Sequence, residues 1–207
     1  MGKTELLEQG LALPVMETFV SIQGEGFHTG KPAFFMRIGG CDVGCHWCDV
    51  KESWDPARHP LVAVDDVLVQ IPPQLETVVI TGGEPLGYNL EYLTGSLHKA
   101  GKKIHLETSG TETFSGRFDW VCLSPKKFSA PLPQSYTLAD ELKIIVFDKT
   151  DFDFARQQAR MVGPEVHLFL QPEWSRRNKV LPLITAFLEE NPGWRLSLQT
   201  HKYIGLP

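Results

Sequence analysis

Short runs of β-branched and apolar residues recur along the chain, each closed by small or polar residues. They are Ala33–Ile38, Thr77–Thr81, Lys103–Thr108, Trp120–Ser124, Glu141–Val146, Val166–Gln171 and Arg195–Thr200. Runs of five or six residues with such boundaries predict buried strands. Between several of them the period changes to that of a helix. Val180, Leu183, Ile184, Phe187 and Leu188 recur at i, i+3, i+4, i+7 and i+8, an amphipathic stripe. Pro182 leaves the start of that helix open, because an interior proline kinks or begins a helix. Leu90–Ala100 stops at Gly101, which suits the position after a helix end. Phe152–Met161 ends before Gly163-Pro164, and Val62–Ile71 carries Asp65 and Asp66 near its start.

Strands alternating with helices predict parallel β-α units. No repeat, low-complexity segment or flexible linker divides the chain, so residues 1–207 read as one domain. A complete eight-unit barrel takes about 250 residues. The expected α/β fold is therefore an incomplete, parallel (β/α) TIM-like barrel, shortened relative to eight units. Four of the strand runs end in chemistry: Thr81-Gly82-Gly83-Glu84, Glu107-Thr108-Ser109, Ser124-Pro125-Lys126 and Gln171-Pro172-Glu173. The C-terminal ends of barrel strands are where such folds place their active sites.

Composition narrows the function without choosing it. At 42% hydrophobic and 22% charged, 207 residues suffice for one sizeable core. A net charge of −5 argues against a nucleic-acid or membrane surface, both of which call for a basic excess. No apolar run approaches the roughly 20 residues of a spanning helix. The first residues, Met1 to Leu6, lack a signal-peptide core, so the expected location is the cytoplasm. Thiols stay reduced there, and clustered cysteines more often bind metal or do redox chemistry than form disulfides.

Three of the four cysteines fall within "GGCDVGCHWCDVK", at Cys41, Cys45 and Cys48. Structural zinc takes four closed ligands, usually as two separated pairs. Here there is no second pair, although His46 and His59 offer a fourth ligand. Iron–sulfur clusters also use thiolates. Three cysteines on a cubane leave one iron open, and a small molecule carrying an amine and a carboxylate can chelate it. The C-x3-C-x2-C spacing after an apolar strand resembles the radical S-adenosylmethionine (SAM) superfamily. "VVITGGEP", residues 78 to 85, resembles the glycine-rich loop of that superfamily. Glycines let backbone approach a ligand closely, and Glu84 can accept hydrogen bonds from an ammonium group.

The flanks are more specific. "ETFVSIQGEGFHTGKPAFFMRIGGC", "HLETSGT", "WVCLSPKK", "ELKIIV", "FLQP" and "WRLSLQTHKYIGLP" resemble the 7-carboxy-7-deazaguanine synthase family of radical SAM enzymes, over essentially the whole chain. The resemblance implies a carbon–nitrogen lyase of queuosine and deazapurine biosynthesis, a tRNA modification pathway. A [4Fe-4S] cluster and SAM would generate a 5′-deoxyadenosyl radical that takes hydrogen from 6-carboxy-5,6,7,8-tetrahydropterin, followed by ring contraction and loss of ammonia. It implies a radical SAM barrel, a homodimer, and a flavodoxin or ferredoxin as electron donor. Carried over by position, Cys41, Cys45 and Cys48 hold the cluster. SAM falls to Trp47, Asp49, Gly82, Gly83, Glu84, Ser124, Pro125, Lys126, Gln171, Pro172, Glu173 and Trp174. The substrate falls to Ile22, Gln23, Gly24, Glu25, Arg37, Thr81, Glu107, His201 and the carboxylate of Pro207. A bidentate fork suits Arg37 to a carboxylate, though an ordinary ion pair is the plainer alternative. Cys122 reads as a packed core thiol.

One departure from the family's pattern matters. Many members place a threonine two residues after the last cluster cysteine, where its hydroxyl helps hold magnesium. The Val50 side chain has no oxygen to offer, so Mg2+ is an expected cofactor only weakly, with little or no magnesium dependence. Two other functions fit part of the pattern. A glycyl-radical-enzyme activase shares the cysteine spacing but has no use for the SIQGEG loop or Arg37. A zinc-binding interaction module would use the cysteines alone.

Overall fold

The computed structural model describes residues 2–207. Its strands are β1 (Ala12–Ile22), β2 (Pro32–Ile38), β3 (Leu61–Ala63), β4 (Thr77–Gly82), β5 (Lys103–Thr108), β6 (Trp120–Leu123), β7 (Glu141–Val146), β8 (His167–Pro172) and β9 (Trp194–Leu196). They form one sheet in the order β3-β1-β2-β4-β5-β6-β7-β8-β9. Every neighbouring pair from β2 to β9 is parallel, while β1 runs antiparallel to both β2 and β3. Among the described residues β9 pairs with no strand on its far side, so the barrel is incomplete, as its length predicts. The helices are α1 (Lys3–Glu8), α2 (Val64–Leu68), α3 (Glu91–Lys99), α4 (Pro133–Leu138), α5 (Asp151–Ala159), α6 (Arg177–Glu190) and α7 (Thr200–Tyr203).

The strands divide their side chains by period 2. Phe34, Met36, Ile38, Val78, Ile80, Ile104 and Leu106 point outward and pack under α2 and α3 with Val64, Val67, Leu93 and Leu97. Leu142, Ile144, Val146 and Leu170 do the same under α5 and α6 with Ala155, Val180, Ile184 and Phe187. Each such residue, fully buried, contributes about 2 kcal/mol of transfer free energy. The inward face differs. On β7, Glu141 and Lys143 alternate with Leu142 and Ile144, and both charged residues are only 3% exposed. A strand buried on both sides with charge on one of them lines a functional interior.

Several elements differ from the sequence pattern, among them α1, β3 and α4, which it does not predict. β1 carries Pro14 and a bulge between Val15 and Glu17, which hide its alternation. The helix expected over Val62–Ile71 shrinks to Val64–Leu68, because Val62 and Ala63 pair with Leu13 and Ala12 and Pro72-Pro73 lies beyond. The strand expected over Arg195–Thr200 covers only Trp194–Leu196. Past it Thr200 donates from backbone and hydroxyl to the Gly24 carbonyl at 2.9 and 2.8 Å, and α7 begins. Pro182 sits inside α6 on its exposed side, near exposed Asn178, so the carbonyl it leaves unpaired meets water. Among the described residues no helix is long and apolar enough to cross a membrane.

Candidate active site

A cavity of about 470 Å³ runs from the C-terminal ends of the parallel strands down into the barrel. Every residue predicted for cluster, SAM or substrate lines it, except Pro125. At its mouth two glycine loops are clipped together by backbone alone. Gly83 donates to the Ile38 carbonyl and Glu84 to that of Gly40, both at 2.8 Å. A Cβ on Gly82 would overlap the Ile38 carbonyl, and one on Gly83 would overlap that of Gly40. Side chains at these positions would separate the cysteine loop from the GGEP loop, so glycine is required for their approach.

Cys41, Cys45 and Cys48 all face this cavity. Burial pushes the Cys41 and Cys45 thiols up. His46 stands edge-on to Phe147 and Trp47, and His59 hydrogen-bonds the Glu52 carbonyl at 2.9 Å. Neither histidine completes a zinc site. Among the described residues no three His, Cys, Asp or Glu side chains converge as a single metal ion requires. Three soft donors on one loop, spread beyond the reach of one ion and without a fourth, fit a cubane cluster with one open iron.

The acids at the strand ends turn into the protein. Glu84 Oε1 accepts from Thr108 Oγ1 at 2.6 Å and from the Leu86 N–H at 3.2 Å. Its Oε2 accepts from the Ser109 N–H at 2.8 Å and from the Ser109 hydroxyl. A carboxylate has about four lone-pair sites, and these bonds use them. Glu84 therefore clasps the β4 loop to the end of β5, and its side chain keeps no acceptor for the ammonium expected from the sequence. Glu173 likewise caps the turn at Trp174–Arg176, accepting from the Ser175 and Arg176 N–H groups and the Ser175 hydroxyl. Gln171 accepts from Ser197 at 2.7 Å. Lys126 donates to the Ser124 carbonyl and hydroxyl at 2.5 and 2.7 Å, with its ammonium 5.6 Å from the Trp47 ring centre.

Deeper in, the cavity is lined by charge. Lys143 Nζ donates to Glu25 Oε2 at 2.6 Å and to Glu107 Oε2 at 2.8 Å. Gln23 donates to Glu107 Oε1 at 3.1 Å, and Gln199 to Glu25 Oε1 at 2.9 Å. Burial pushes the Glu25 carboxyl up, but the Lys143 ammonium and the Gln199 amide outweigh it and hold the group down to about 2. The loop after β1 is anchored by Phe27, whose N–H donates to Glu141 Oε2 at 3.0 Å. Gly24 has no room for a Cβ because His201 occupies that space. Ser21 donates to the Pro207 carbonyl oxygen at 3.2 Å, which seats that residue on β1.

Arg37 pairs with Glu17 through Nε at 2.7 Å, as the plainer reading expects. Among the described residues its two terminal NH2 groups have no partner, and the side chain lines the cavity. An apolar wall of Phe19, Phe35 and Val79 stands on that side, with the two rings stacked at 5.1 Å. Cys122 is buried, as expected. It sits on the inward face, its thiol 3.5 Å from Glu141 Oε1, and burial pushes it well above the usual value.

Sequence reasoning missed Lys143, Gln199 and Lys202. Gln199 and Lys202 both donate to Asp49, at 3.2 and 2.5 Å, and tie α7 to the cysteine loop. The alternation Glu141-Leu142-Lys143-Ile144 is the signal for Lys143.

Residues 36–121 match the Radical SAM superfamily. A 7-carboxy-7-deazaguanine synthase from Flavobacterium psychrophilum is 50% identical over 97% of this chain and 96% of its own. One from Synechocystis is 46% identical over 95% and 94%. The crystal structure of QueE from Escherichia coli superposes with a TM-score of 0.83 at 31% identity, covering 97% of this chain and 99% of that one.

Proposed function

From membership of the 7-carboxy-7-deazaguanine synthase family of radical SAM enzymes, to which this chain belongs, we infer how the cavity divides its work. The protein is a lyase that converts 6-carboxy-5,6,7,8-tetrahydropterin to 7-carboxy-7-deazaguanine with loss of ammonia. The cluster and SAM, when bound, supply the 5′-deoxyadenosyl radical that takes a hydrogen atom from the substrate. Cys41, Cys45 and Cys48 hold the cluster. Backbone groups of Gly82 and Gly83, with Ser124, Lys126 and the Gln171–Trp174 segment, hold SAM beside it. Because Glu84 is already saturated, the SAM ammonium meets carbonyls of its loop.

The substrate lies deeper, against Phe19 and Phe35. Glu25 and Glu107 accept from its N–H edge, and the free end of the Arg37 guanidinium takes its carboxylate. Ile22 to Gly24, Thr81 and His201 close around it, which keeps water from the reacting centre. Val50 presents methyl groups to the cavity, so magnesium contributes little. A homodimer in the cytoplasm, reduced by a flavodoxin or ferredoxin, completes this reading from the family resemblance.

The observation that carries it is the meeting of both ends in one cavity: a three-thiol loop at the mouth and a paired set of carboxylates below. Anaerobic turnover of 6-carboxy-tetrahydropterin by reconstituted enzyme with SAM and reductant tests it, with mass detection of the deazaguanine. SAM cleavage without that product would point to the activase; stoichiometric zinc without iron would point to the interaction module.

A further inference from the structure

Lys143 lies in the middle of a six-residue strand, 3% exposed, where a lysine is costly to bury unless paired. Its ammonium bonds two carboxylates that arrive from unrelated parts of the chain: Glu25 from the loop after β1, and Glu107 from β5. Neither of those elements pairs with β7 in the sheet. Without a cation between them, two buried carboxylates at this separation repel, and one takes a proton. A protonated carboxyl offers one fewer acceptor and adds a donor, which is the wrong pattern for a substrate edge that presents N–H groups.

With the cation present, the bonding pattern is suited to recognition. The four carboxylate oxygens take close bonds from Lys143 (two), Gln23 and Gln199, with Gln171 also bonding Glu25 and the Cys122 thiol bonding Glu107. Two carboxylates offer about eight lone-pair sites and these bonds use fewer, so the pair as a whole still accepts toward the cavity. The contrast with Glu84, whose lone pairs are used up, marks Glu25 and Glu107 as acceptors held in readiness. The other titratable groups facing Lys143 are Cys122 on β6 and Glu141 on β7, with Lys126 and His201 as further cations nearby.

We propose that Lys143 is a positioning residue: its ammonium holds Glu25 and Glu107 converged as a paired acceptor for the N–H edge of the substrate. The inference rests on the substrate reading above. It assigns Lys143 no proton transfer and no contact with the reacting carbons.

The test is substrate affinity as a function of pH, measured anaerobically by calorimetry on the cluster- and SAM-loaded enzyme without reductant, so that no turnover occurs. Wild-type affinity for 6-carboxy-tetrahydropterin is expected to stay level across the neutral range. Lys143→Met is expected to bind roughly a hundredfold more weakly at neutral pH, as for one partner removed from a buried charge pair. Its affinity should recover as pH rises and the shared proton leaves. Lys143→Met combined with Glu107→Gln removes the repulsion, and the pH slope should vanish while affinity stays low. Weaker binding in Lys143→Met with no pH slope would overturn the proposal, as would unchanged binding. If neither variant folds while Glu107→Gln alone does, the lysine is a strut of the fold and the proposal falls. A wild-type enzyme that does not bind this substrate at any pH would remove the substrate reading first and the inference with it.

Discussion

The mouth of the cavity and its depth are built from different materials. At the mouth, glycine backbones press together and the acids Glu84 and Glu173 are consumed in clasping loops. In the depth, Glu141 and Lys143 are held out of water, and Glu25 and Glu107 turn their partly covered carboxylates toward the cavity. On the division of work proposed above, the difference follows from what each end receives. Cluster and SAM bring their own charges and an open iron, so the protein supplies thiolates, carbonyls and a close fit. The substrate is read by its polar edge, and reading it takes acceptors that cannot drift or change protonation. Burying those acceptors costs several kcal/mol per ion unless they are paired, which is why the lysine lies among them.

The largest expected effect separates the two ends. Cys48→Ala should lower iron content and take turnover to background. Cys48 is partly exposed, so the melting of the metal-free chain should change by less than about 1 kcal/mol equivalent. Substrate affinity lost together with the iron would show that mouth and depth are one unit, which would break the comparison.

The depth has its own signature in stability against pH. Burial pushes the Glu141 carboxyl up from 4.5 to about 7, while burial together with His28 and Lys31 pushes the His105 imidazole down from 6.5 to about 4. The unfolded chain releases the Glu141 proton first, so that residue removes stability as pH climbs from about 4.5 to about 7. The unfolded chain takes up the His105 proton first, so that residue removes stability as pH drops from about 6.5 to about 4. Each arm amounts to ~3 kcal/mol by the pKa-to-energy conversion, and over their common window they oppose. Glu141→Gln deletes one arm. Urea denaturation across this range should show the variant growing less stable relative to wild type as pH falls from about 7 to about 4.5. A constant difference between the two curves would sink the assignment.

Legibility in the sequence follows the same division. The mouth was readable because its chemistry is local: cysteine spacing and a glycine pair keep their meaning wherever the chain goes. β5 and β7 were readable to their end residues because apolar runs with polar edges leave few alternatives. The depth was not, because it is made by topology. β1 escaped notice behind Pro14 and its bulge, and it is β1 that carries Gln23 and Glu25 into the barrel. The alternation around Lys143 marks two faces of β7, but only the packed core on the other face shows that the lysine points inward. Cys122 was read correctly as buried, but burial alone does not say which face of β6 it occupies.

Smaller in effect, Gly83→Ala sharpens the claim that the mouth depends on backbone contact. The added methyl meets the Gly40 carbonyl and the Cys41 Cβ, neither of which can rotate away. An overpacking cost of about 1–3 kcal/mol is expected, visible as a lower melting temperature. The same variant should lose iron more readily under chelation. Full stability would mean that the loops have slack and that glycine serves another purpose there.

The smallest expected effect concerns Val50, where the family resemblance leads one to expect a threonine. Threonine has nearly the same shape as valine, so Val50→Thr adds a hydroxyl without altering the packing volume. Val50 is only partly buried, and its backbone N–H reaches the Cys48 sulfur at 3.4 Å, a contact the substitution leaves in place. Stability should therefore stay within about 0.5 kcal/mol, the range of ordinary surface changes. Magnesium favours oxygen ligands in near-octahedral geometry, and the new hydroxyl supplies one where the wild type has a methyl group. Chelator-treated wild-type enzyme should respond little to added magnesium, and the variant should respond several-fold more. A strong response in the wild type would mean that other oxygens, from the substrate or from water, satisfy the ion without residue 50. The mouth would then hold a charge not spent on clasping loops, and the division between a mouth whose charged groups are consumed and a depth that keeps its acceptors free would no longer hold.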